Sequence, residues 1–250
     1  MTIRNIIAIP ARYASTRLPQ KPLQDLGGQP LILRTLRQAQ KSNSADAVFV
    51  VTDDQRIFDT LKPHHEHIIL SQRDFTSGTD RIAHALLPLN PQYIINLQVD
   101  EPFIDPLELD AIFNALQTPH IDIATLRAEI ETPEDLHDPN VVKVVCRDNQ
   151  EALYFSRAAI PYKQNCNPCG QTWYKHIGVY GYQANALKKF CSLPPHPLEE
   201  SEKLEQLRAL AAGLNIVCLD ARGTHLGIDT QEDLHRAKEI VDKLGEKAFP

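Results

Sequence analysis

Arg12, Ser15, Thr16, Arg17 and Lys21 fall within one short loop, and no Asp or Glu occurs before Asp25. Forked arginines and a mobile lysine are good holders of phosphate oxygens. Hydroxyls and loop amides at the end of a strand add further donors. The chemistry this implies is retention of a small polyphosphate; the plain alternative is a solvated loop with scattered cations. The loop carries neither Gly-x-x-x-x-Gly-Lys-Ser/Thr nor Gly-x-Gly-x-x-Gly, so it is neither a Walker-type ATPase loop nor an ordinary dinucleotide fingerprint.

Three further groups of residues could serve the same chemistry. In Asn96-Leu-Gln-Val-Asp-Glu-Pro-Phe-Ile104, Asp100 and Glu101 are hard oxygen ligands of the kind Mg²⁺ uses. Read as structure alone, the segment is an acidic turn between a strand and a helix. Gln98 is placed to hydrogen-bond a substrate or a neighbouring backbone. Asp229, in Gly227-Ile-Asp-Thr-Gln-Glu-Asp-Leu234, also follows a strand and precedes a helix. It either converges with Asp100 on one cation or simply favours a helix N-terminus. Ser77-Gly-Thr-Asp-Arg81 is a turn suited to backbone contacts with a base or ribose, and is also ordinary turn chemistry.

Other clusters carry less. Cys166 and Cys169, with His176 and Cys191 beyond them, have the spacing of half a zinc site, but no second cysteine pair completes it. His64-His-Glu-His67 reads as a solvated connector, and no Gly-x-Ser-x-Gly elbow suggests a covalent nucleophile.

The elements that must position these residues follow from periodicity. Strands are predicted over Ile3–Ile9 (halted by Pro10), Ala47–Thr52, His67–Leu70, Tyr93–Leu97, Ile121–Leu126, Val141–Cys146, Ile177–Tyr182 and Asn215–Leu219. Helices are predicted over Leu31–Lys41, Gln55–Leu61, Thr79–Leu87, Pro106–Gln117, Ala184–Leu193 and Glu202–Ala212, with a last one capped by Thr230. The alternation implies an α/β fold with a doubly wound, mostly parallel sheet in which ligands sit beyond the carboxyl ends of the strands. From about Asp122 the strands lie closer together, so a mixed or antiparallel subregion is expected there. Residues 165–172 read as an exposed loop, and no linker divides the 250 residues, so 1–250 is read as a single domain.

A formal charge of −6 argues against nucleic-acid and anionic-membrane partners and makes the basic loop a local anion site. No apolar stretch reaches the ~20 residues of a membrane span. Five cysteines fit a reducing, cytoplasmic setting better than a disulfide framework.

In order along the chain, Pro10-Ala-Arg-Tyr-Ala-Ser-Thr-Arg-Leu-Pro19, Lys21-Pro-Leu23, Thr52-Asp-Asp54, Ser77-Gly-Thr-Asp-Arg81, Ala152-Leu-Tyr-Phe-Ser-Arg-Ala158, Ile160-Pro161, His176-Ile-Gly-Val-Tyr-Gly-Tyr182, Leu204-Glu-Gln-Leu-Arg208 and Ile228-Asp-Thr230 resemble the 3-deoxy-manno-octulosonate (KDO) cytidylyltransferase family. The similarity runs from Ile6 to about Ala237. It implies a nucleotide-diphospho-sugar transferase-like single domain. The activity it implies is Mg²⁺-dependent transfer of a cytidylyl group from CTP to KDO, feeding lipopolysaccharide synthesis, in a homodimer. It further implies a catalytic set of Arg12, Lys21, Asp100 and Asp229, with the two aspartates holding the metal. CTP would be bound by Arg12, Ser15, Thr16, Arg17, Lys21, Ser77, Gly78, Arg81 and Gln98. Gln98, Arg157, His176, Tyr180, Glu205 and Gln206 would line the sugar site. An amino-substituted KDO or another acidic sugar, and a catalytically impaired nucleotide-binding homologue, are the alternatives.

Two positions depart from the family's pattern, Gln20 and Val99 each standing where glycine is usual. Glycine commonly marks positive φ or close approach to a ligand. At Val99 the choice is between an ordinary extended backbone and strain of about 1–3 kcal/mol. The expectation drawn from them is an active enzyme with a slightly altered nucleotide or sugar pocket.

Overall fold

The structure is a computed structural model that describes residues 3–71, 73–162, 164, 172–223 and 225–250. Cys166, Cys169 and nearly all of the 165–172 loop lie outside the described residues. The chain divides into two compact units, 1–113 with 222–250, and 114–221.

The first unit is built on four parallel strands in the order β3-β2-β1-β4: β1 (Asn5–Ala11), β2 (Ala47–Thr52), β3 (Ile68–Leu70) and β4 (Tyr93–Asn96). Every residue of β1 from Ile6 to Ala11 is buried, as a central parallel strand requires. Helices α1 (Leu31–Ala39), α2 (Gln55–Leu61) and α3 (Gly78–Leu86) connect the strands, and α4 (Pro106–Leu116) follows β4. Two strand-to-helix junctions are capped by their own sequence. Asp54 accepts the amide of Arg56 at α2, and Ser77 accepts that of Asp80 at α3. Thr230 makes a reciprocal box with Asp233 at the last helix of this unit, Gln231–Leu244.

Strand β1 does not stop before Pro10. Pro10 pairs opposite Val51 of β2, while the pairing with β4 ends at Ala8 opposite Asn96. The carbonyl of Ala8 accepts the amide of Leu97, so residues two apart from Ala8 also face the β4 side. Pro10 therefore lacks its N–H where the ladder has already ended, and the strand continues at no cost in hydrogen bonding.

The second unit carries β5 (Ile123–Glu129), antiparallel to β8 (Tyr174–Gln183) and parallel to β9 (Ile216–Asp220). Strand β6 (Lys143–Cys146) pairs antiparallel with β7 (Ala152–Ser156) and with β8. The mixed subregion expected beyond Asp122 is present. Strand β7 and the short helix α5 (Pro133–His137) were not legible from periodicity. Helix α6 (Ala184–Ser192) ends one residue short of its expected span, with Leu193 as an extended C-cap. The helix expected over Glu202–Ala212 is instead the last residue of α7 (Pro197–Glu202), a left-handed Lys203 at φ 54°, and α8 (Gln206–Ala211). Glu202 explains the break, because its carboxylate accepts the hydroxyl of Ser156 and the amide of Arg157. The long helix of the first unit, Gln231–Leu244, is α9.

The two departures from glycine resolve differently. Gln20 sits at φ 56° and ψ 30°, the left-handed conformation that glycine adopts freely. Val99 is absent from the positive-φ residues; it is buried, and its carbonyl accepts the hydroxyl of Thr35 at 2.7 Å. Left-handed backbone costs a side-chain-bearing residue about 1–2 kcal/mol, part of which a glycine returns through its freer unfolded chain. Gln20→Gly is therefore expected to raise Tm by about 1–4 °C in a thermal melt. A lower Tm would show that contacts of the Gln20 side chain outweigh the strain.

Candidate active site

The first unit holds a cavity of about 430 Å³ beyond the carboxyl ends of β1 and β4. The loop after β1 contributes Arg12, Ser15, Thr16, Arg17 and Lys21 to its lining. Gln98 and Asp100 come from the turn after β4, and Asp229 from the residue before the α9 cap. Pro10 and Gly78 close the back, where a Cβ at position 78 would stand 3.2 Å from the Pro10 ring. Glycine at 78 thus lets the start of α3 approach the strand.

Lys21 organises the floor. Its Nζ donates to Asp100 Oδ2 at 3.0 Å and to Asp229 Oδ1 at 2.8 Å. Arg17 Nη2 lies 3.0 Å from the other oxygen of Asp229. Burial alone would pull the Lys21 ammonium down, but the two carboxylates outweigh it and hold the proton more firmly than usual. Asp100 is pushed up by its burial, against the pull of Lys21. Asp229 is also raised by burial, but Lys21 and Arg17 prevail and lower it. The bridging ammonium therefore stays charged between two carboxyl groups that would repel each other without it.

The donor set fits a hard divalent cation: two carboxylates from separate segments share one position, now held by a cationic nitrogen, on the wall of a cavity. Arg12, Arg17, Ser15 and Thr16 line the same space, a set of cationic and hydroxyl-bearing residues that suits a polyphosphate.

Other expected nucleotide ligands lie elsewhere. Neither Ser77 nor Arg81 lines the cavity. The Ser77 hydroxyl caps α3. Arg81 is 2% exposed and pairs with Asp53 at 2.8 Å, a brace between α3 and the end of β2. Asp53 belongs to the Thr52-Asp-Asp54 motif, and nothing in its spacing from Arg81 signals the pair. Glu101, the other carboxylate beside Asp100, does not line the cavity either.

Of the residues expected around the sugar, Gln98 lines the first unit's cavity, and Arg157, His176, Tyr180, Glu205 and Gln206 lie in the second unit. Arg157 Nε donates to the carbonyl of Glu202 at 2.7 Å, and its Nη1 to that of Pro139 at 2.8 Å. Glu205 stands just before α8, and Gln206, its first residue, is buried. His176 and Tyr180 are stacked obliquely, with ring centroids 5.1 Å apart, and Phe155 meets the His176 ring edge-on. His176 Nε2 lies 3.0 Å from the hydroxyl of Thr125. Burial pushes the Tyr180 hydroxyl well above its ordinary range.

Burial also holds the His176 imidazole down to about 3, from 6.5. The unfolded chain therefore takes up a proton here as pH falls below 6.5, while the folded protein does not until about 3. The stability this neutral histidine supports is full above 6.5 and shrinks across that window. In denaturant unfolding, the advantage of the wild type over His176→Gln is expected to narrow between neutral and acid pH. A constant difference would show that His176 does not titrate this way.

Among the described residues, no helix is long and apolar enough to cross a membrane. The cytidylyltransferase family model matches residues 6–216. A 3-deoxy-manno-octulosonate cytidylyltransferase of Flavobacterium johnsoniae is 44% identical over 94% of this chain and 98% of its own. One of Rhodopseudomonas palustris is 46% identical over 94% and 97%. The solved structure of a CMP:2-keto-3-deoxy-manno-octonic acid synthetase complexed with CTP superposes with a TM-score of 0.90 at 35% identity, over 96% of this chain and 99% of that one. That agreement carries the α/β fold and its mixed, mostly parallel sheet from end to end. With a basic loop and paired aspartates at one cavity, and this likeness along nearly its whole length, the chain belongs to the 3-deoxy-manno-octulosonate cytidylyltransferases.

Proposed function

We propose that the protein transfers the cytidylyl group of CTP to 3-deoxy-manno-octulosonate, releasing pyrophosphate, with Mg²⁺ held by Asp100 and Asp229. The observation that carries this reading is the Lys21 bridge between those aspartates inside a cavity lined by Arg12, Ser15, Thr16 and Arg17. The family's name supplies the substrates.

The anomeric hydroxyl oxygen of the sugar attacks the α-phosphorus in line, and the bond to the β-phosphate oxygen breaks. Pyrophosphate leaves with that bond's electron pair, and the hydroxyl proton passes to solvent. Arg12, Arg17 and Lys21 hold the triphosphate and neutralise the charge that gathers on the leaving group. To do so Lys21 exchanges its two carboxylate partners for phosphate oxygens, a shift its flexible stem allows. Bound Mg²⁺ supplies charge neutralisation at the phosphate and a lowered pKa for the attacking hydroxyl, so no dedicated base is needed. Gln98, whose Nε2 now donates to Asn96 at 2.8 Å, is the side chain offered to both substrates. Arg157 would meet the sugar carboxylate by giving up its carbonyl partners.

The same reading places the protein in the cytoplasm, in lipopolysaccharide synthesis, as a homodimer; exposed Leu153 and Tyr162 offer apolar surface for a second copy. The deciding assay is pyrophosphate release from CTP and KDO with and without Mg²⁺. Release is expected only when all three are present. CTP binding without release under any divalent ion would identify a nucleotide-binding homologue instead. Faster release with an amino-substituted KDO would reassign the sugar.

A further inference from the structure

Next to the paired aspartates, among residues that do not line the cavity, is a second charged cluster that the proposed chemistry does not use. His225 is 4% exposed, and its Nε2 lies 3.0 Å from Oε1 of Glu108, itself 1% exposed at the start of α4. Its Nδ1 is buried, has no hydrogen-bond partner among the described residues, and points toward Glu101 Oε2 at 3.9 Å. Glu101 is the residue after Asp100, and His225 is four residues before Asp229.

Arg222 and residues 225–229 are strapped to the β4–α4 connection at three points. The amide of Arg222 donates to Glu108 Oε1 at 2.6 Å. His225 sits between Glu108 and Glu101. The amide of Ile228 donates to the carbonyl of Asp100 at 3.0 Å, tying the residue before Asp229 directly to Asp100. A Cβ at Gly227 would meet Glu101 Oε1 at 3.7 Å, an ordinary van der Waals distance, which shows how near the strap lies to that carboxylate. The Glu108 carboxylate also accepts the amide of Asp105, so one side chain anchors both the strap and the turn before α4.

We propose that His225 is a positioning residue, which by clamping Glu108 and Glu101 holds the Asp229 segment in register with Asp100 so that both carboxylates meet one cation. Two buried carboxylates facing one another without it would repel and splay the strap from the turn. The charge balance agrees: burial alone would lower the His225 pKa, but Glu101 and Glu108 raise it to about 9. Glu108 is driven up by burial, yet His225 and the strap amide bring it below the usual range.

The inference rests on Asp100 and Asp229 as cation ligands, and its test separates the two ideas. Amide exchange is measured on the full chain without metal, in the wild type, in His225→Gln and in Glu108→Gln, the last serving should His225→Gln not fold. Protection of the Ile228 amide is expected to fall about tenfold or more in either variant, while the β1 and β4 amides keep theirs. Direct Mn²⁺ binding is expected to weaken about 10- to 100-fold in the same variants. Unchanged Ile228 protection in a folded variant overturns the proposal. So does wild-type Mn²⁺ affinity in these variants while Asp100→Asn loses binding. Should Asp100→Asn bind Mn²⁺ as the wild type does, the cation reading is what fails, and the Ile228 amide alone then decides whether His225 holds the strap.

Discussion

Asp100→Asn is expected to lower pyrophosphate release by about three orders of magnitude while leaving the protein folded. The size follows from the proposed role: a metal-binding carboxylate contributes several kcal/mol of transition-state charge stabilisation, and about 4 kcal/mol corresponds to about a thousandfold in rate. The amide keeps the shape of the side chain but offers no anionic oxygen to a cation. Folding is spared for a separate reason. Burial already works against the charge on Asp100, so removing that charge relieves a desolvation cost. Lys21 keeps its contact with Asp229 at 2.8 Å. The loss should appear equally in kcat and kcat/KM, the signature of an interaction made in the transition state. Asp229→Asn should act in the same direction on the rate, and it also releases Arg17 from its 3.0 Å pair. Turnover of Asp100→Asn within tenfold of the wild type at saturating Mg²⁺ would sink the metal assignment.

Lys21→Met should have the largest effect on the resting protein, and the sign of its metal dependence is the informative part. The ammonium neutralises two carboxylates at once. Methionine fills a similar volume and leaves them facing each other unpaired. Breaking a fully buried ion pair costs about 3–5 kcal/mol; with the Asp229 side chain 39% exposed, about 2–3 kcal/mol is expected here. Divalent cation should restore most of that stability, because the vacated position between the carboxylates becomes a better cation site. The rise in Tm on adding Mg²⁺ is therefore expected to be larger for Lys21→Met than for the wild type, in which Lys21 competes for the same oxygens. Activity should nonetheless fall about 10²–10³-fold, since the triphosphate loses a charged donor. Adding Asp100→Asn to Lys21→Met should recover part of the stability, a coupling that a double-mutant cycle reads directly. Equal Mg²⁺ stabilisation of variant and wild type would mean that Lys21 does not occupy the cation position.

Much of the fold was legible locally. The spans Ala47–Thr52 and Gln55–Leu61 match their strand and helix to the residue, and the Thr230 cap lies where its hydroxyl, Glu232 and Asp233 pointed. Runs of this kind declare themselves because their hydrophobic period and capping groups lie within a few residues. The errors occur where a distant partner intervened. Pro10 reads as a strand stop, yet it is tolerated because β4 has ended beside it. Leu204, Leu207 and Ala211 give a helical period across Glu202–Ala212, but Ser156 and Arg157 capture Glu202 and the helix breaks at Lys203.

For the site, residue types were enough to nominate the basic loop, Asp100 and Asp229, and the ordered motifs were enough to indicate the family. Residue types by themselves could not choose between Asp100 and Glu101, which stand side by side; in the sequence only the family resemblance singled out Asp100. Only the tertiary structure turns Asp100 to the cavity and Glu101 toward His225, because the turn after β4 is clamped from both sides. Nor could the sequence show that Lys21, assigned to a polyphosphate, bridges carboxylates 79 and 208 residues away, or that Glu108 and His225 meet across 117. The division has one physical cause. Propensity, capping and charge type act over a turn or two of chain, whereas ion pairs of this separation exist only once the sheet has brought the ends of its strands together and excluded the water that would otherwise screen them.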